Sequence, residues 1–115
     1  MKRRLKKKRK KELRSIMSKK IKIKRFDKEL PLPEYKTKGA AGFDLTAREA
    51  TTIKPGQVGH VPLNVAIETP RGYFLLVSAR GSTHKFGLKP ANGIGVGDWD
   101  FRGDKDEYWV PLFNF

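Results

Sequence analysis

Asp98 and Asp100 flank Trp99, with Phe101 next, inside a run from Asn92 to Asp104 that reads NGIGVGDWDFRGD. Four glycines, three aspartates, two aromatic residues and one arginine share these 13 positions. A carboxylate beside an aromatic ring can take a proton from water while the ring packs on a bound ligand. Glycines at 93, 95 and 97 let that ligand approach the main chain closely. On residue types alone two readings stand. The run is either a nucleotide pocket with a base for water, or a Gly/Asp-rich hairpin tip whose residues cap their own backbone.

Two earlier segments bear on the choice. Ala40-Ala41-Gly42-Phe43-Asp44-Leu45 and Ala79-Arg80-Gly81-Ser82 precede Gly95-Val96-Gly97-Asp98-Trp99-Asp100-Phe101-Arg102-Gly103. In this order the three resemble the first three motifs of the trimeric dUTPase family (deoxyuridine triphosphate nucleotidohydrolases). The family's second motif is Arg-Ser-Ser or Arg-Ser-Gly, and its third is Gly-Val-Ile-Asp-x-Asp-Tyr-Arg-Gly. Pro70-Arg71-Gly72-Tyr73 and Leu88 to Asn92 also fit the family's spacing. The resemblance covers roughly Ile21 to Asn114.

The resemblance implies hydrolysis of dUTP to dUMP and pyrophosphate, which serves nucleotide pool sanitation and dTTP precursor supply. Asp98 would orient the attacking water as general base and bond the sugar 3′-hydroxyl. Phe101 stands where the family has a tyrosine whose ring presses on the deoxyribose and excludes a 2′-hydroxyl. Asn92 and the backbone at Gly95 would bind the uracil edge, since an amide offers both donor and acceptor. Arg80, Gly81 and Ser82 would hold phosphates, Arg80 through its forked charge. Asp44 would hold Mg²⁺ through water, an ion commonly shared between a carboxylate and substrate phosphates. Read without the family, Asp98 and Asp44 bond local turns, Phe101 is a core aromatic, and Asn92-Gly93 is a tight turn.

The chain departs from the family pattern at three places. Gly81 replaces the first serine of the second motif, Gly97 replaces an isoleucine, and Phe101 lacks the phenol. The family's fourth motif and its glycine-rich fifth, which closes over the nucleotide from a neighbouring subunit, do not occur before Phe115. The resemblance therefore implies a C-terminally truncated member in which hydrolysis is weak or absent. Two alternatives remain. A dCTP deaminase-like enzyme of the same fold would need a proton-shuttling glutamate, for which Glu107 is the nearby candidate. A non-catalytic, jelly-roll nucleic-acid-binding module needs no such group.

The formal net charge of +14 resembles a nucleic-acid signature until it is located. Residues 1–25 carry 15 Lys and Arg against one acid, Glu12, whereas residues 26–115 carry 11 of each sign. A block of this kind is expected to be disordered and can bind nucleic acid non-specifically. The division expected is a basic tail over 1–20, with an alternative start at Met17, and one domain over 21–115. The tail is followed by no apolar run, which fits neither a signal peptide nor a membrane span, so the expected location is cytoplasmic. The absence of cysteine excludes a disulfide framework and a zinc–thiolate site.

What must position these residues is a set of short strands. After residue 25 no helical period appears, and β-rich runs alternate with turn signals. Ile21, Ile23 and Phe26 give an edge-strand pattern, Pro31-Leu32-Pro33 an extended linker, Phe43 to Ala47 a strand, Lys54 to Gln57 a turn and Val58 to Pro62 a strand. Val65 to Glu68 and Tyr73 to Ser78 are expected to form a hairpin around Thr69-Pro70-Arg71-Gly72, with Pro70 at the first central turn position. Ser82 to Phe86 reads as one helical turn with Ser82 as N-cap and Gly87 closing it, and Tyr108 to Phe113 as the last strand. Many short strands with regular turns indicate an all-β domain, a closed barrel or sandwich. That agrees with the jelly roll, assembled as a homotrimer, that the resemblance implies.

Overall fold

The computed structural model describes residues 20–115, so the basic run up to Lys19 and the Met17 start lie outside the described residues. The described residues hold seven strands: β1 (Lys22–Arg25), β2 (Val58–Pro62), β3 (Val65–Glu68), β4 (Leu75–Val77), β5 (Leu88–Pro90), β6 (Gly95–Gly97) and β7 (Trp109–Asn114). One short 3-10 helix, Thr83–Phe86, interrupts them, and no α-helix occurs among the described residues. The all-β class expected from the turn-punctuated pattern holds.

The strands form three small antiparallel sheets. β1 pairs with β3, β7 lies between β2 and β5, and β4 pairs with β6. The core sits on β3, whose Val65, Ala66 and Ile67 are buried on both faces. Leu63 and Tyr108 complete its centre, with Ile23, Phe43, Leu45, Leu75, Val77 and Val110 packed around them. No helix among the described residues is long and apolar enough to cross a membrane.

Two expected elements differ. Phe43 to Ala47 is not a strand. Phe43 and Leu45 both pack on the core, but the segment finds no strand partner, and the bond beyond it runs from the Arg48 N–H to the Pro62 carbonyl at 2.8 Å. Val65–Glu68 and Tyr73–Ser78 do not form a hairpin either, because β3 bonds β1 and β4 bonds β6. The remaining side of β3 is taken by the Tyr108 N–H, which donates to the Val65 carbonyl at 2.9 Å. A turn does lie between them, closed by the Tyr73 N–H on the Pro70 carbonyl at 3.0 Å. Gly72, at φ 86°, takes the left-handed third position, which moves Pro70 from the first central place to the first residue of the turn.

The Lys54–Gln57 turn is present, and so is the strand after it. The 3-10 helix begins after Ser82 and ends on Gly87 at φ 71°, as expected for a left-handed C-terminal glycine. Ser82 holds the N-cap position without a side-chain capping bond, so its hydroxyl is not spent on the helix.

Candidate active site

β6 is a strand of two glycines around one valine, and its glycines present one bare face. Val96 points the other way and is exposed. A turn precedes the strand: the Gly93 N–H donates to the Pro90 carbonyl at 3.1 Å, and Gly93 has φ 71°. A second turn follows, in which the Phe101 N–H donates to the Asp98 carbonyl at 3.0 Å. These two turns fold Asn92, Gly95, Asp98 and Phe101 around a single cavity of about 360 Å³, with Val77 and Tyr108 among its walls. Asn92 thus sits in a tight turn and on the cavity wall at once.

The Asp98 carboxylate is exposed and receives no hydrogen bond from the described residues. It does not cap its own turn; only its main-chain carbonyl does that work. Beside it, two guanidinium groups lie over the Trp99 ring, Arg102 at 4.9 Å and Arg71 at 5.9 Å from its centre. Arg102 also bonds Glu68 at 3.0 Å, which ties the loop to the end of β3. The chemistry this arrangement permits is that of an unpaired carboxylate at the mouth of a largely apolar slot. It can orient water or accept a proton from a hydroxyl.

Asp44 and Arg80 meet elsewhere. They line a neighbouring cavity of about 510 Å³ together with Tyr35, Phe43 and Phe74, and the Arg80 Nε lies 3.3 Å from Asp44 Oδ1. Both side chains are substantially exposed. Val77, Ser78, Pro90 and Val110 form the wall common to the two cavities. Gly81 and Ser82 line neither, although a Cβ at Gly81 would meet nothing within 4 Å, so a serine would fit there. Among the described residues no group of three or more His, Cys, Asp or Glu side chains could enclose a metal. Asp44 alone could hold one only as a shared ligand.

Glu107, the deaminase candidate, has another task. Its carboxylate accepts from Arg48 Nε at 2.7 Å, from Arg48 Nη2 at 3.0 Å and from the Asn64 N–H at 3.0 Å. The bond to Glu107, then its charge, raises the Arg48 pKa further above its ordinary value, against some desolvation. Asn64, at φ 69° and buried, continues the network: its Oδ1 accepts from the Asp27 N–H at 2.6 Å and its amide donates to the Asp27 carbonyl at 3.0 Å. Three donors tie this glutamate to the fold, which disfavours it as a proton shuttle although it also lines the Asp98 cavity.

Sequence reasoning missed Tyr108 as a wall of the site. The signal was at Gly97, where a Cβ would overlap the Tyr108 hydroxyl and stand 2.7 Å from Cζ. The glycine there is a space that the tyrosine fills. Burial, helped by the charges of Asp98 and Asp106, pushes the Tyr108 phenol above its ordinary pKa.

A family model described as dUTPase matches residues 28–115. The deoxyuridine 5′-triphosphate nucleotidohydrolase of Desulfitobacterium hafniense is 48% identical over 89 residues, covering 74% of this chain and 59% of that protein. The corresponding protein of Dictyoglomus turgidum is 40% identical over 98 residues, covering 81% and 65%. The chain therefore spans about six-tenths of the length of these curated relatives. Among solved structures, dUTPase from Streptococcus mutans aligns with a TM-score of 0.72 at 29% identity, over 84% of this chain and 79% of that one. A dUTPase from phage phi11 of Staphylococcus aureus, solved with a structural Mg(II) ion, aligns at 0.73 with 21% identity over 84% and 60%, a likeness of fold. The jelly roll is thus the fold of this chain.

Proposed function

The chain belongs to the dUTPase family, and we propose that it carries the base- and sugar-recognising part of a dUTP diphosphatase. The observation that carries this reading is the shared cavity of Asn92, Gly95, Asp98 and Phe101. An amide and open backbone suit the alternating donors and acceptors of uracil, and an aromatic ring suits the apolar edge of a deoxyribose. The carboxylate of Asp98 is free to take a proton from water as the water oxygen bonds the α-phosphorus. The bond from that phosphorus to the bridging oxygen then breaks, releasing pyrophosphate and leaving dUMP. Alignment of water and carboxylate supplies much of the gain.

Arg80 is the phosphate-binding cation of this reading, with Gly81 and Ser82 beside it offering backbone N–H groups and a hydroxyl. Asp44 would hold Mg²⁺ through water, with substrate phosphates completing the shell. When bound, that ion neutralises charge on the triphosphate. Arg80 already rests against Asp44, so the two are poised to separate around an incoming polyanion.

The Asp98 and Arg80 cavities lie on two sides of one wall, which favours a homotrimer in which subunits complete each other's sites. The outer face of β4 and β6 supports that assembly, because Phe74, Leu76, Ile94 and Val96 are all exposed there. A cytoplasmic nucleotide pool is the setting this reading assigns to the activity. The test is pyrophosphate release from dUTP by the full chain, set against dCTP and UTP. Weak release from dUTP, cut further in Asp98→Asn, is the expected result. Ammonia release from dCTP without pyrophosphate would overturn it.

A further inference from the structure

One large side chain on the Asp98 cavity wall has no part in the chemistry above. Tyr108 is only 6% exposed, and its hydroxyl has no hydrogen-bond partner among the described residues. Its backbone is pinned on both sides: its N–H donates to the Val65 carbonyl, and its carbonyl accepts from the Leu63 N–H, each at 2.9 Å. The ring lies across Gly97, the position at which any side chain would collide with it. Its edge meets Phe101, with ring centres 5.0 Å apart and planes at 77°.

A buried hydroxyl without a partner is a net cost, so what this position uses is the ring. Burial keeps the phenol protonated and uncharged at neutral pH, and it adds no charge beside Asp98. Phe101, for its part, is 37% exposed and has no hydroxyl with which to fix its own orientation. An edge-on neighbour can fix it, and such pairs are attractive beyond the area they bury.

We infer that Tyr108 is a positioning residue: through Gly97 it braces the ring of Phe101 against the sugar of a bound nucleotide and so sets the preference for a 2′-deoxy over a 2′-hydroxy sugar. The inference rests on the dUTP reading of the cavity. It makes the glycine at 97 and the tyrosine at 108 one device, in which the absent side chain makes room for the brace.

The test measures affinity for the non-hydrolysable α,β-imido analogues of dUTP and UTP, with melting temperatures, on the full chain and three variants. Tyr108→Phe keeps the ring and is expected to hold the deoxy preference within about twofold. Tyr108→Val is expected to lose about tenfold of the preference, the upper range for an edge-on aromatic pair, and to melt lower. Gly97→Ile combined with Tyr108→Val refills the space and is expected to recover melting but not preference. A preference kept at the unmodified level by Tyr108→Val or by the double variant overturns the inference, as does its loss in Tyr108→Phe. If the unmodified chain fails to distinguish the two analogues, the dUTP reading falls and the brace with it. If it distinguishes them and Tyr108→Val does too, only the brace falls.

Discussion

Asp98 and Glu107 lie on one connection, between β6 and β7, and meet opposite fates. The Glu107 side chain is buried and accepts from three N–H donors of Arg48 and Asn64. Asp98 projects into solvent with no donor on it. Buried charge is tolerated only when it is paired and hydrogen-bonded, and pairing spends the lone pairs that a base requires. The carboxylate that holds three donors therefore ties the loop to the core, and the one without donors is left for a substrate. Neither residue type nor neighbouring sequence distinguishes them; the partners folded against them do.

The comparison can be broken most directly at Asp98. Asp98→Asn is expected to cut dUTP turnover about 100- to 10,000-fold, as for loss of a positioned base. Its melting temperature should move by no more than about 2 °C, since no bond within the chain is lost. Stopped-flow pyrophosphate release and a thermal melt check both halves. Arg80→Ala comes next: affinity for α,β-imido-dUTP should fall about tenfold, the worth of a charge-assisted hydrogen bond, measured by calorimetry. Its exposed pair with Asp44 adds little to stability, so the melt should scarcely change.

Glu107→Gln should behave in the opposite sense, lowering the melting temperature by roughly 5–10 °C because the Arg48 guanidinium loses its counter-charge. At 10 °C its affinity for the imido analogue should match the unmodified chain. A loss of turnover without loss of stability would reverse the assignment of the two carboxylates and revive the deaminase.

The smallest effect sharpens the picture at high pH. The Tyr108 pKa is raised from its ordinary 10.0 in the folded chain, so the folded state retains that proton after the unfolded state has lost it. Stability tied to this group is present in full below about pH 10 and declines as pH rises through the folded value. Tyr108→Phe should flatten that decline in a series of denaturant titrations; an unchanged slope would show that the phenol is not shielded.

Much of this was legible along the chain, because turns and strands are local matters. The Lys54–Gln57 turn, β2, the Ser82–Gly87 segment and β7 all follow from residues within a few positions of one another. The four cavity residues on either side of β6 are equally close in sequence, and two short turns suffice to gather them. What escaped depends on distant partners. β3 reads as half a hairpin until Tyr108 and β1 claim its two edges. Phe43 to Ala47 has strand composition and lacks only a strand to pair with. The division of Asp44 and Arg80 from Asp98 is a matter of which side of Val77 and Pro90 each loop falls.

The close fit between Gly97 and Tyr108 also constrains how this lineage can change. A side chain restored at 97 while the tyrosine remains collides with it, and a small residue at 108 while the glycine remains leaves a hole in the core. Each single step is therefore destabilising even where the paired change is neutral. The two positions must substitute together or through a loosened intermediate.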